Sequence, residues 1–108
     1  MSLTFKSTRD VIVRTPKLAQ AKNFYESVLR LSTTYASEKL MGYDSGSFKL
    51  YVEEGEPHGP VFEFRVSDFN AAKAALLQAG CVLLEEDPKV PRCYLKDPFG
   101  LVFNIEQG

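Results

Sequence analysis

From Asp10 to Arg14 the two sides of the chain differ in character, with Val11 and Val13 on one side and Asp10, Ile12 and Arg14 on the other. A period of two is the mark of a β-strand with two unlike faces. The same alternation returns at residues 61–66, where Phe62, Phe64 and Val66 oppose Val61, Glu63 and Arg65. After each strand the period lengthens to that of a helix. In the first case Leu18, Ala21, Tyr25, Val28 and Leu29 form an apolar stripe, with Lys17, Gln20, Lys22 and Glu26 as its solvated complement. In the second the stripe is Phe69, Ala72, Leu76 and Ala79. Thr15 and Pro16 are start signals for the first helix, with proline at the first helical position, and Ser67 or Asp68 caps the second. Gly80 stands where a left-handed residue would end the second helix. Short strands are expected at 32–39, 40–44 and 48–53, and again at 82–86, 92–96 and 101–106. Ser45-Gly46-Ser47 and Asp97-Pro98-Phe99-Gly100 supply turns.

The two runs are copies of one unit. Shifted by 51 positions, residues 10–17 lie over residues 61–68, Leu18 over Phe69 and Ala21 over Ala72, with no gap through the helices. Four strands make a marginal sheet, whereas two βαβββ modules can share one curved surface with a hollow. The expected architecture is therefore α+β. Two βαβββ modules form a curved mixed sheet with a cup-shaped cavity, and the helices lie on the outer face. The chain reads as a single domain, 1–108, with module one at about 8–53, a connector at 54–60 rich in turn formers, and module two at about 61–106.

Composition narrows the classes of function. A chain of 108 residues with 44% apolar content supports one core. Thirteen basic and fourteen acidic residues are scattered along it, for a formal charge of −1, which gives no field for nucleic acid. No apolar run approaches the roughly 20 residues of a bilayer span, and the N-terminus has no secretory pattern, so a cytoplasmic location is expected, without membrane or nucleic-acid partners. Cys81 and Cys93 have neither zinc nor disulfide-framework spacing and are expected to be reduced and buried. His58, the sole histidine, lies in the connector and is expected to be an exposed loop residue.

Helices must cover the apolar face, so Val11, Val13, Phe62, Phe64, Val66, Cys93, Leu95, Leu101, Phe103 and Ile105 are expected beneath them. The opposite face then carries Asp10, Ile12, Arg14, Val61, Glu63, Arg65, Arg92, Tyr94, Val102, Asn104 and Glu106. Such a face either meets water or lines a binding site.

Residues 11–31, with Phe24-Tyr25 on the helix and Leu29-Arg30-Leu31 after it, resemble the opening of vicinal-oxygen-chelate proteins, the glyoxalase, bleomycin-resistance and extradiol-dioxygenase superfamily. Tyr94-Leu-Lys-Asp-Pro-Phe-Gly-Leu-Val-Phe-Asn-Ile105 is similar to that superfamily's terminal turn and strand. The resemblance implies paired modules around a cup, often at a dimer interface. It also implies metal ligands, typically His and Glu, on the first and last strands of each module. Those four places read Asp10, Lys49, Val61 and Asn104 here. Valine has no donor atom, an ammonium group has no lone pair and repels a cation, and a lone aspartate does not hold a catalytic divalent ion. No metal and no other cofactor is therefore expected. Asp10 and Lys49 would form an ion pair in the metal's place. A displaced site on Asp10, Glu63 and Glu106 would require donors about 6–7 Å apart along the strands to converge.

The expected function is that of a metal-independent binder, in the manner of the bleomycin-resistance branch, that encloses an organic molecule in the cup. Ile12, Val61 and Val102 would form apolar walls. Arg14, Arg65, Arg92, Tyr94, Glu63 and Glu106 would supply recognition, with an anionic ligand favoured if the arginines are not already paired with the glutamates. No residue is assigned a catalytic role. One alternative is a superfamily lyase, isomerase or dioxygenase with a non-standard site, using Glu63 or Glu106 as base. Another is a dimeric interaction module without ligand, presenting Tyr35, Tyr43, Tyr51 and Phe99. A small-molecule ligand and a second copy of the chain are the expected partners.

Overall fold

The computed structural model describes residues 3–108. Within that range the chain is α+β, with eight strands and two α-helices. Its contacts divide it into two units, Arg9–Pro60 and a C-terminal unit of Val61–Gly108 with the residues up to Thr8. Among the described residues no helix is long and apolar enough to cross a membrane.

The N-terminal unit takes its part of β1 (Phe5–Thr15), then α1 (Leu18–Asn23), a π-helical turn (Phe24–Val28), β2 (Ser32–Ala36), β3 (Leu40–Asp44) and β4 (Lys49–Glu54). Its strand order is β2-β3-β4-β1, antiparallel except for the parallel pair β1/β4. The C-terminal unit repeats this with its part of β5 (His58–Val66), then α2 (Phe69–Gln78), β6 (Val82–Asp87), β7 (Arg92–Lys96) and β8 (Val102–Gln107). The order β6-β7-β8-β5 again closes on a parallel pair, β5/β8. Even the bulges recur, between Thr33 and Tyr35 on β2 and between Leu83 and Glu85 on β6. The β1 strand begins five residues before the alternation at Asp10, and β5 begins inside the connector. His58 is consequently a half-buried strand residue and not an exposed loop residue, its Nδ1 2.8 Å from the Gly59 carbonyl oxygen.

Each helix covers most of the face that alternation assigned to it, but Val11 and Phe62, paired with Leu50 and Phe103, fall outside the covered clusters, and Phe62 is 40% exposed. Under α2, Val66, Cys93, Leu95, Phe103 and Ile105 pack with Ala72 and Cys81, flanked by Phe64, Phe69 and Leu76. Both cysteines are buried free thiols, and burial raises the pKa of each. Leu101 falls outside this cluster, because the turn claims its backbone: its N–H donates to the Asp97 carboxylate and its carbonyl accepts from the Asp97 N–H. In the N-terminal unit Met41, Tyr43, Leu50 and Val52 form the cluster, joined by Val13, Leu18, Ala21, Tyr25 and Leu31.

The first helix departs from expectation at both ends. Pro16 lies outside it, since the Lys17 N–H donates to Thr15 Oγ1 in a turn and helical backbone begins at Leu18. By contrast Asp68 caps α2, its Oδ1 accepting from the Ala71 N–H. The π-turn contains one residue more than α2 has at the same place. Leu31 N–H reaches back six residues to the Tyr25 carbonyl, whereas Cys81 N–H reaches back five to Leu76. The repeat offset thus falls from 51 to 50, and Arg30 (φ 56°) becomes the counterpart of Gly80 (φ 105°). The added residue rotates the following side chains about the helix axis. Val28 and Leu29, expected in the apolar stripe, are 62% and 50% exposed. Glu26, expected on the solvated side, instead accepts a 2.8 Å hydrogen bond from the phenol of Tyr43.

Tyr43, expected among the exposed aromatics, is fully buried. Burial, the Glu26 hydrogen bond and the Glu26 charge together lift its pKa well above the ordinary 10.0. A folded-state pKa raised above the unfolded value stabilises the fold below pH 10.0 and withdraws that stability as pH climbs beyond it. Urea midpoints should therefore fall as pH rises above 10.0 on account of Tyr43, adding to the loss from the two buried thiols, which begins above 9.0. Tyr43→Phe should lower stability by about 1.5–3 kcal/mol at neutral pH, the worth of a hydrogen bond to a charged group, and flatten that alkaline slope.

Candidate functional site

The helix-free faces of the two units carry the polar residues that alternation singled out. The parallel pairs set their register. On β1/β4, Asp10 stands opposite Lys49, Ile12 opposite Tyr51 and Arg14 opposite Glu53. On β5/β8, Glu63 stands opposite Asn104 and Arg65 opposite Glu106. Asp10 and Lys49 therefore face each other across one register step, while Asn104 is matched with Glu63 and not with Val61.

In the C-terminal unit these residues build a hydrogen-bonded network. Asn104 is only 8% exposed. Its Oδ1 accepts from the Cys93 backbone N–H at 2.7 Å, and its Nδ2 donates to Glu63 Oε2 at 3.1 Å. The Thr8 hydroxyl donates to the other oxygen, Glu63 Oε1, at 3.1 Å. The amide orientation is fixed from both ends, because only its NH₂ can donate to a carboxylate and only its oxygen can accept from a backbone N–H.

The three arginines lie beside carboxylates. Arg14 donates to Glu53 at 2.8 Å, and this pair is largely shielded from solvent. Arg92 donates to Glu85 at 2.9 Å while its guanidinium sits 5.3 Å from the centre of the Tyr94 ring. Arg65 and Glu106 approach to 3.9 Å on a more exposed part of the sheet. Glu106 thus meets an arginine as sequence reasoning anticipated, but Glu63 bonds to Thr8 and Asn104. Glu53 and Glu85 were missed. Glu53 continues the alternation on β4, and the signal for it was its place two residues beyond Tyr51. The β6 bulge hid Glu85, since it breaks the count of two. Of the expected apolar walls, Val61 is buried and Ile12 and Val102 are half-buried. Of the expected exposed aromatics, Tyr35 and Phe99 are exposed, and Tyr51 lies over Gly42, where an added Cβ would come within 3.0 Å of its ring.

No protein-family model matches the chain, and no curated protein does. Solved structures do. Homoprotocatechuate 2,3-dioxygenase from Brevibacterium fuscum superposes with a TM-score of 0.69 at 21% identity, over 95% of this chain and 36% of that one. A glyoxalase/bleomycin resistance protein/dioxygenase superfamily member from Vibrio splendidus 12B01 superposes with a TM-score of 0.67 at 13% identity, over 99% of this chain and 100% of that one. This chain has a vicinal-oxygen-chelate-type fold. It spans about a third of the dioxygenase's length, and identities this low carry fold and not activity.

The metal that this fold type implies can be tested against the donors present. Among the described residues no three His, Cys, Asp or Glu side chains converge. The oxygen of Asn104 is already directed at the Cys93 N–H, and its NH₂ group, which has no lone pair to offer, is what it turns toward Glu63. Across from Asp10 stands the ammonium-bearing Lys49. Neither pair fits a divalent ion.

Removing the amide tests this network. Asn104→Ala strands the Cys93 N–H and takes a donor from Glu63, and should cost about 1–3 kcal/mol in chemical denaturation. Asn104→Asp should cost at least as much, since its carboxylate would stand against that of Glu63.

Proposed function

We propose that this protein binds a small organic molecule on its helix-free sheet faces without using a metal. The observation that supports this most directly is the Thr8–Glu63–Asn104 network. It engages Asn104, one of the four residues at the places where the fold type implies metal ligands, in an ordered set of polar groups. Around it Arg92 is braced by Glu85 and by the Tyr94 ring, so a recognition group is held in one orientation before any ligand arrives. Such preorganisation lowers the entropy lost on binding.

The ion pairs shape the ligand class. A carboxylate or phosphate would have to compete with Glu53, Glu85 and Glu106 for the arginines, so charge alone does not recruit it. A ligand with a flat apolar body and hydroxyl or carbonyl groups meets the face better. Its donors address Glu63, and its acceptors address Arg92.

A thermal-shift screen of small phenolic, carbonyl and acidic metabolites, each with and without Mn, Fe, Ni and Zn, tests the reading. A ligand at 100 times its Kd adds about 2.7 kcal/mol, which for a domain of this size raises Tm by on the order of 10 °C. The expected result is stabilisation by an organic compound alone, lost in Glu63→Gln and Arg92→Ala. Stabilisation that requires an ion, or one equivalent of tightly held metal in the purified protein, would overturn the metal-free reading.

A further inference from the structure

The duplicated unit serves as an internal control for the helix-covered side of the sheet, and there the copies differ. In the C-terminal unit the Phe64 and Phe103 rings meet edge to face at 5.2 Å beneath α2, and Ile105 packs beside them. The strand register makes Val13, Leu50 and Val52 the counterparts of those three residues in the N-terminal unit. Each replacement is smaller. Volume is moved rather than kept in place: Met41, Tyr43 and Tyr25 stand where the other unit has Cys93, Leu95 and Leu76, so the bulk lies toward β3 and the helix and away from Val13 and Val52.

What remains is a groove of about 400 Å³ on the N-terminal unit, within the range of small-molecule sites. Its apolar wall is Val13, Ala21 and Val52. Phe24 and Tyr25, paired edge to face at 5.3 Å, form an aromatic side. Phe24 is 46% exposed, so its ring is open to a ligand in the groove.

The charge on the groove is one-sided. Arg14 and Lys17 line it and no carboxylate does. Arg14 is held by Glu53, which leaves Lys17 at the mouth, with the Gln20 amide beside it, as the positive charge that a ligand would meet. Lys17 is the counterpart of Asp68, so the two units present opposite charges at the starts of their helices.

We propose that this groove is a second binding site, sharing only Arg14 with the helix-free face, and that it takes a small organic carboxylate. The aromatic or aliphatic body of the ligand lies against Val13, Val52 and Phe24, and its carboxylate meets Lys17 and Gln20. A partly exposed ammonium–carboxylate contact contributes modestly, so the apolar body supplies most of the affinity and the charge supplies selectivity.

The test is an amide-resolved NMR titration of the full chain with sodium 2-naphthoate, against uncharged 2-naphthamide. Naphthoate should shift the amides of Lys17, Gln20, Ala21, Phe24 and Tyr25 and bind several-fold tighter than the amide. Lys17→Gln, at an exposed position, should weaken naphthoate by about fivefold, the equivalent of about 1 kcal/mol, and leave naphthamide unchanged. Val13→Phe should block both compounds by restoring the missing ring, and Lys17→Gln keeps the test decisive if that larger side chain disturbs folding. Equal binding of acid and amide, indifference to Lys17→Gln, absence of binding, or shifts confined to Glu63, Arg92 and Tyr94 would overturn the proposal. The last of these would leave the helix-free-face reading intact.

Discussion

The parallel pairing of the first and last strand of each unit is the constraint from which the rest follows. A parallel pair cannot be closed by a tight hairpin, so the chain must leave, cross one face of the sheet and return. Here the crossing is the helix, and the return takes two further antiparallel strands. That route assigns one face of each unit's strands to a helix and leaves the other without one. It also fixes the register that sets Asp10 opposite Lys49 and Glu63 opposite Asn104. A slip by one residue would turn every one of these side chains to the helix and send Val13, Phe64 and Ile105 out.

On the helix-free face, polar groups are arranged to satisfy one another. Asn104 is the clearest instance. An amide is both donor and acceptor, so it can join a backbone N–H to a carboxylate, and a glutamate at the same place could not donate to Glu63. The residue that weakens the site as a metal centre is therefore the one that orders it as a hydrogen-bonded surface. The arginine–glutamate pairs follow the same logic. They cost desolvation and gain attraction, and their clearer effect is orientation.

Duplication gives the molecule two copies of each structural problem, solved differently. One helix is regular, capped by Asp68 and ended by Gly80. Its counterpart starts without a side-chain cap, contains a π-turn and ends at a left-handed arginine. The irregular copy also distributes its core volume differently, with smaller residues on β1 and β4 and larger ones, Met41 and Tyr43, on β3. A single inserted residue explains the outward turn of Val28 and Leu29 and the inward turn of Glu26, and with these the burial of the Tyr43 phenol against a carboxylate.

Much of the fold was legible in the residues themselves. Alternation marked the strands and their faces, the helical period and Asp68 marked α2, and self-similarity at 51 positions exposed the duplication. These are short-range regularities, which depend only on backbone geometry and on apolar area seeking cover. The π-turn left no such trace, because one extra residue in a helix changes no composition and a gapless match of the two helices hides it. Nor did the sequence select the partners of the arginines. Glu53 and Glu85 reach Arg14 and Arg92 only after strand pairing brings together residues 39 and 7 positions apart. The clamped amide of Asn104 and the groove beside Lys17 belong to the same class. Each arises from distances across elements, which tertiary packing alone determines.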